Sequence, residues 1–254
     1  MYKIKGGTLE ELLHLTPTEK TIILMGEQHI SLRHDDVLEF VYILEKQKAI
    51  INTAIEKFGK DKVLFYSEGP EECRTTMMSN RILHPCILAQ YANSLIPIKL
   101  STITFCTRDQ HGFCDEQYAD DILDVFTQQP TINCVVVATG LIHIPEIFKI
   151  LKLKQPDIKV IIINTVSENQ LQDILPSIQE VYPEQYPILT ELLTTEPPYK
   201  LSDEDQRKGV SLFLKKYSLP SPAADSTSKK DGGKYSKKNI KRKRKSKRKY
   251  SKRI

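Results

Sequence analysis

The chain reads as an α/β domain with a largely parallel central sheet of about five strands, helices on both faces and a disordered basic C-terminal tail. Three observations predict this. Short β-branched apolar runs alternate with longer stretches of helical periodicity. Two of the runs end alike, in Gly26-Glu27-Gln28-His29 and in Gly140-Leu141-Ile142-His143, which reads as one kind of strand-to-helix junction used twice. Charge is also split: residues 224–254 hold 15 Lys and Arg against 2 Asp, and the remainder holds 22 basic against 30 acidic residues. A body at about −8 with a tail at about +13 suggests a folded unit carrying an interaction segment.

The elements follow in order. Leu9 to Leu15 reads as a short leading helix, and Thr21 to Met25 as the first buried strand. Leu32 to about Ile50 is helical by the spacing of Val37, Leu38, Val41, Leu44 and Ile51, with Ser31 as its cap; residues 52–59 extend it or form a second short helix. Lys62 to Tyr66 is a strand ending at Ser67-Glu68-Gly69-Pro70, and Glu71 to Ala92 is helical with a break near Pro85. Lys99 to Cys106 is the third strand, ending at Thr107-Arg108-Asp109. Asp115 to about Gln128 is a helix with Tyr118, Ile122, Val125 and Phe126 on its apolar face. Asn133 to Ala138 is the fourth strand, and Pro145 opens a helix to about Leu153, where a missing N–H costs nothing. Lys159 to Ile163 is the fifth strand, and Ser167 caps a helix to about Glu180. Prolines interrupt the stretch that follows, so residues 183–218 read as a helical appendage with a helix near 203–216. At 254 residues this gives a single α/β domain over 1–218 and a tail over 219–254 with almost nothing apolar to bury.

No apolar run approaches the roughly 18–20 residues needed to span a bilayer, so no membrane partner is expected. Met1-Tyr2-Lys3-Ile4-Lys5-Gly6-Gly7 lacks the apolar core of a signal peptide, which points away from secretion and toward the nucleus or nucleolus, otherwise the cytoplasm. The five cysteines, Cys73, Cys86, Cys106, Cys114 and Cys134, show no Cys-x-x-Cys spacing, and free, mostly buried thiols are expected of them.

The chemistry-bearing residues collect just past the strands. The first strand supplies Glu27 and His29, the second Glu68, the third Arg108 and Asp109, and the fourth His143. In an open α/β sheet the carboxyl edge is where ligands bind. Imidazole with carboxylate is the donor set of divalent transition metals, Mn, Co, Zn or Fe, and an open coordination position would activate water or polarise a carbonyl. Each residue also has a quieter reading: Glu27 could cap a helix, Glu68 could pair with Arg74 or Arg108, and His143 could be a helix-start histidine with its bonds satisfied. Two copies of the motif at matching junctions favour the shared site.

These residues carry a family resemblance over roughly residues 20–165. Gly26-Glu27-Gln28-His29, with His34 after it, is similar to the opening motif of ChaN-like haem-binding proteins. Ser67-Glu68-Gly69-Pro70 with Arg74 resembles the strand-two glutamate motif of TraB/PrgY proteins, and Val137-Ala138-Thr139-Gly140-Leu141-Ile142-His143 resembles their second Gly-x-x-His. The ordered set resembles the superfamily joining TraB, Tiki, ChaN and erythromycin-esterase-like proteins. The resemblance implies an α/β fold with one site at the sheet edge and a metal-dependent hydrolase, with peptidase activity as one form. It carries over Glu27, His29, Glu68 and His143, and more loosely Arg108 and Asp109. His29 and His143 would be metal ligands, or one a general base; a glutamate would ligate or activate water; Arg108 would orient a carboxylate or stabilise negative charge. A divalent ion is expected ahead of haem. The signal peptide and membrane anchor of the Tiki and ChaN branches have no counterpart in the sequence, so their substrates do not transfer.

Other chemistry is weaker. Cys106, His111 and Cys114, with Cys73, His84 or Cys86, could hold a structural zinc, although the spacing is not that of a standard finger. There is no Gly-x-Ser-x-Gly elbow and no phosphate loop. A Cys–His nucleophile pair stays open, with Cys134 at a strand start away from the active edge.

The tail is dense in cations: Lys229 and Lys230, then Lys241, Arg242, Lys243, Arg244, Lys245, Lys247, Arg248 and Lys249. It resembles a bipartite nuclear-import signal, so a nuclear import receptor is an expected partner. The same charge would bind nucleic acid without regard to sequence and in a salt-sensitive way. Two readings follow. The first is a metal-dependent hydrolase with a nuclear-targeting tail. The alternative is a non-catalytic ligand-binding or scaffold protein tethered by its tail to nucleic acid or a nuclear partner.

Overall fold

The computed structural model describes residues 6–27, 37–67, 84–101, 111–166, 175–176, 178–180 and 183–194. Its strands are β1 (Thr21–Glu27), β2 (Val63–Ser67), β3 (Ile98–Leu100), β4 (Cys134–Gly140) and β5 (Lys159–Asn164). Its α-helices are α1 (Leu9–Leu13), α2 (Val37–Phe58), α3 (His84–Asn93), α4 (His111–Gln128), α5 (Ile144–Lys154) and α6 (Tyr186–Thr194). The strands form one sheet in the order β3-β2-β4-β1-β5, and every pairing is parallel.

Period-two alternation assigns the strand side chains to two cores. Ile23, Met25, Phe65, Val136 and Ile163 face α1, α2 and α3, with Leu12, Leu44, Ile51 and Leu88 opposite them. Ile22, Leu24, Tyr66, Val135 and Val137 face α4 and α5, with Tyr118, Ile122, Ile147 and Leu151 opposite. Both faces are covered, which is why β1, β2 and β4 carry continuous apolar runs. Ile23 lies fully buried on β1, between β4 and β5. Truncating Ile23→Ala removes its transfer free energy and leaves a cavity, so we expect a loss of about 2–5 kcal/mol, read as a lower urea midpoint at unchanged slope.

Local signals explain the borders. Thr8 and Glu11 form a reciprocal capping box at the start of α1. Residues 52–59 prove to extend α2, which runs unbroken to Phe58. Pro145 falls in the opening turn of α5. Pro187 falls second in α6, within the stretch expected to be broken by prolines. The ladder of the third strand runs from Phe65↔Ile98 to Ser67↔Leu100, at the sheet edge against β2 alone, and the part of the expected strand from residue 102 to Cys106 lies outside the described residues. The expected helix near 203–216 lies outside the described residues, as does all of 219–254. The chain divides into Met1–Leu219 and Pro220–Ile254, and every described residue belongs to the first unit.

Candidate functional site

The strand order sets the carboxyl ends of β1 and β4 side by side. β1 pairs with β4 along its whole length, Gly26 opposite Thr139 and Glu27 opposite Gly140. On the other side of β4 lies β2. The connection leaving β2 leads through α3 on the first face, and the one leaving β4 leads through α5 on the second, in opposite directions along the sheet. That is a topological switch point, the place at which open α/β sheets bind ligands.

Beyond β4 the chain tightens into a 3-10 turn, Leu141–His143, before α5 begins. Gly26 makes room for that turn. A Cβ built on Gly26 would meet Leu141 Cδ1 at 2.5 Å and Ile144 Cγ1 at 3.4 Å, so the end of β1 packs directly under the turn that carries His143. From the opposite side, the buried Thr165 hydroxyl donates to the Gly26 carbonyl at 2.6 Å, and Gln47 Nε2 from α2 donates to Thr165 Oγ1 at 3.5 Å. Buried Ser67, Ser101, Thr139 and Thr165 give the carboxyl edge a rim of hydroxyls, and Lys46 on α2 is buried as well.

His143 is held by Asp115, the fifth residue of α4. Its Nδ1 lies 2.6 Å from Asp115 Oδ1, with side-chain exposures of 5% and 3%. An ionised carboxylate only accepts, so Nδ1 carries the proton and donates it. In the neutral ring, Nε2 then holds the lone pair. The Tyr118 ring meets the His143 ring edge-on, 5.7 Å between centroids at 78°, and Tyr66 meets Tyr118 the same way at 6.5 Å. The Tyr66 hydroxyl donates to Asp121 Oδ2 at 3.1 Å, and Lys99 Nζ donates to the Asp121 carbonyl at 3.0 Å. The imidazole is thus seated on a packed aromatic floor. Docking of α4 on α5 makes this possible, and Lys154 clips the two helices at the surface, 2.6 Å from Asp120 and 3.3 Å from Glu116. The Asp120 hydrogen bond, above all, raises the Lys154 pKa.

Of the residues expected at this edge, His143 is described in full and Glu27 by its backbone at the end of β1. His29, Glu68, Arg108 and Asp109 lie outside the described residues, as do the tail cations from Lys229 to Lys249. Among the described residues, no three His, Cys, Asp or Glu side chains are grouped to hold a metal ion. Asp115 went unrecognised in the sequence, although a signal was there: it sits at the i, i+3, i+4, i+7 spacing with Tyr118, Ala119 and Ile122, a carboxylate on an apolar stripe.

The cysteines correct one expectation. Cys86 and Cys114 are disulfide-bonded rather than free thiols, and a sulfur in a disulfide is no thiolate ligand, so the zinc reading loses both. Cys134 is free and buried at the start of β4, and burial pushes its pKa well above the ordinary 9.0. It is no nucleophile. Its contribution to stability is present in full below pH about 9 and is lost as pH rises from there, because the unfolded chain ionises first. We expect a decline of up to about 1.4 kcal/mol per pH unit in that range, removed by Cys134→Ala and read by urea unfolding at pH 8 to 10.

Compared with protein-family models, curated proteins and solved structures, the chain matches none.

Proposed function

We propose that the domain is a metal-dependent hydrolase working at the carboxyl edge of the sheet, around the end of β4. The observation that carries this reading is the buried Asp115–His143 pair at the switch point. A carboxylate that fixes the tautomer and direction of an imidazole is the usual partner of a metal-binding or proton-transferring histidine. His143 Nε2 is the atom that would hold the ion or take a proton from water, and Asp115 would stabilise the imidazolium in the second case. A divalent transition ion, when bound, would lower the pKa of its water and polarise a substrate carbonyl. Glu27, His29 and Glu68 are the further donors of this edge, with Arg108 and Asp109 in supporting roles. The tail, by its charge, serves nuclear import and sequence-blind contact with nucleic acid.

The test is calorimetric titration of Mn, Co and Zn into the full chain and into His143→Ala, followed by ester and peptide hydrolysis with the tightest ion. We expect about one ion per chain, and both binding and turnover lost in the variant. Binding indifferent to His143, or neither binding nor turnover in the wild type, overturns the reading.

A further inference from the structure

β1 is clamped at the end that lies under the candidate site. Its ladder with β5 closes at Gly26↔Asn164, and β4 continues beside Glu27. At the start of the strand, Thr21 N–H donates to the Asn133 carbonyl on the β4 side, and the Lys20 carbonyl accepts from Lys159 N–H on the β5 side. Carried along the strand with its period of two, this turns the Gly26 carbonyl toward β5 and the Glu27 N–H toward β4. The regular run of β5 ends at this level, where Asn164 Oδ1 accepts from Val166 N–H at 2.9 Å. A side chain meets the Gly26 carbonyl instead: the fully buried Thr165 hydroxyl donates to it at 2.6 Å. Gln47 Nε2 can only donate, and it does so to the same Thr165 oxygen at 3.5 Å, which leaves the hydroxyl hydrogen for Gly26.

Gly26 also lies against the turn that carries His143, since a Cβ there would stand 2.5 Å from Leu141 Cδ1. Two restraints thus converge on the histidine. Asp115 holds its ring from α4, and Gly26 supports its backbone turn from β1. We propose that Thr165 is a positioning residue for His143: its hydroxyl pins the Gly26–Glu27 peptide, and through the contact of Gly26 with Leu141 it sets where the turn, and with it the imidazole, sits. A buried carbonyl that loses its donor must find another, so without the hydroxyl this peptide rotates and the seat of the turn shifts. Donation and shape can be separated at this position. Valine has nearly the outline of threonine but no donor, whereas serine keeps the donor and gives up the methyl group.

The inference rests on the proposed site at His143, and its test lets the two fail separately. Full-length wild type, Thr165→Val, Thr165→Ser and Thr21→Val are compared. Thr21→Val is the matched control, because it removes a buried hydroxyl of the same strand that donates to the Glu19 carbonyl at 3.1 Å, at the end away from the site. Mn, Co and Zn are titrated into each chain. The Nδ1 proton of His143 is followed by NMR on histidine-labelled protein and assigned with His143→Gln. We expect Thr165→Val to weaken ion binding by about 10–100-fold and to displace the Nδ1 signal. Thr165→Ser should restore both, and Thr21→Val should leave both as in the wild type. Wild-type behaviour of Thr165→Val, failure of serine to restore, or an equal effect of Thr21→Val overturns the proposal. If Thr165→Val does not fold, Gln47→Met carries the test, because it removes the amide that directs the hydroxyl: a displaced Nδ1 signal upholds the proposal and an unchanged one overturns it. If the wild type binds no ion, the hydrolase reading falls and the Nδ1 signal alone decides this one.

Discussion

Asp115→Asn lowers metal affinity, or turnover where that is measured, by about 10–100-fold with the fold intact. The amide has nearly the shape of the carboxylate, so packing against Tyr118 and α5 is kept. Its NH2 group can donate where the carboxylate could only accept, which favours the ring tautomer with the lone pair on Nδ1. Nε2 then carries the proton and is a poor ligand and a poor base. Asp115→Ala goes further. It leaves His143, with a side chain only 5% exposed, facing a void where an acceptor stood 2.6 Å away. We expect that variant to lose about 1–3 kcal/mol, the cost of leaving a buried donor without its acceptor. Urea unfolding separates the two effects: Asn lowers function at little cost in stability, and Ala lowers both. Equal function in Asn and wild type would show that Asp115 is a packing residue only.

Gly26→Ala destabilises the domain by about 1–3 kcal/mol, although alanine suits a strand better than glycine does. The cause is steric. The new methyl would lie 2.5 Å from Leu141 Cδ1, and Leu141 is buried, so the side chain has no open direction in which to retreat. The Leu141 side chain has to repack beneath the 3-10 turn that carries His143, while the Leu141 Cα, at 3.6 Å, is in ordinary contact. Hydrolysis and metal binding should fall together with stability. The double variant Gly26→Ala with Leu141→Ala frees the space and should cost less than the two single changes added together. A non-additivity of about 1 kcal/mol or more in that cycle is the expected mark of direct contact. Additive costs would place the effect elsewhere.

The regular elements were legible because their periods are strong. Ile22-Ile23-Leu24-Met25 and Val135-Val136-Val137 are buried on both sides, and the helical stripes of α2 and α4 have one apolar face each. Legibility failed where pairing or packing decides. β3 lies at the sheet edge with β2 as its one neighbour, a place that the run Ile98-Lys99-Leu100 does not announce. In the candidate site, the place of His143 just past β4 was legible through its glycine, and Glu27 is described by its backbone alone. That β1 and β4 end side by side depends on strand order, which no local pattern encodes. Asp115 reaches His143 across 28 residues of sequence only because α4 and α5 pack side by side. The disulfide bonding of Cys86 and Cys114 escaped notice because their spacing resembles no framework.

The order of the strands also sets a timetable for the chain. β1 leaves the ribosome ahead of β2 to β5, yet both its neighbours, β4 and β5, lie more than a hundred residues downstream. Until residue 134 has emerged, Thr21–Glu27 has no strand to pair with, and its edges must be shielded by α1, α2 or a chaperone. β2 and β3 can pair early, but the sheet cannot be joined into one until β4 is inserted between β2 and β1. Long-range parallel pairing of this sort makes for slow folding. A chain cut short before Cys134 would therefore hold two unjoined fragments of a sheet, with the switch point and its histidine both missing.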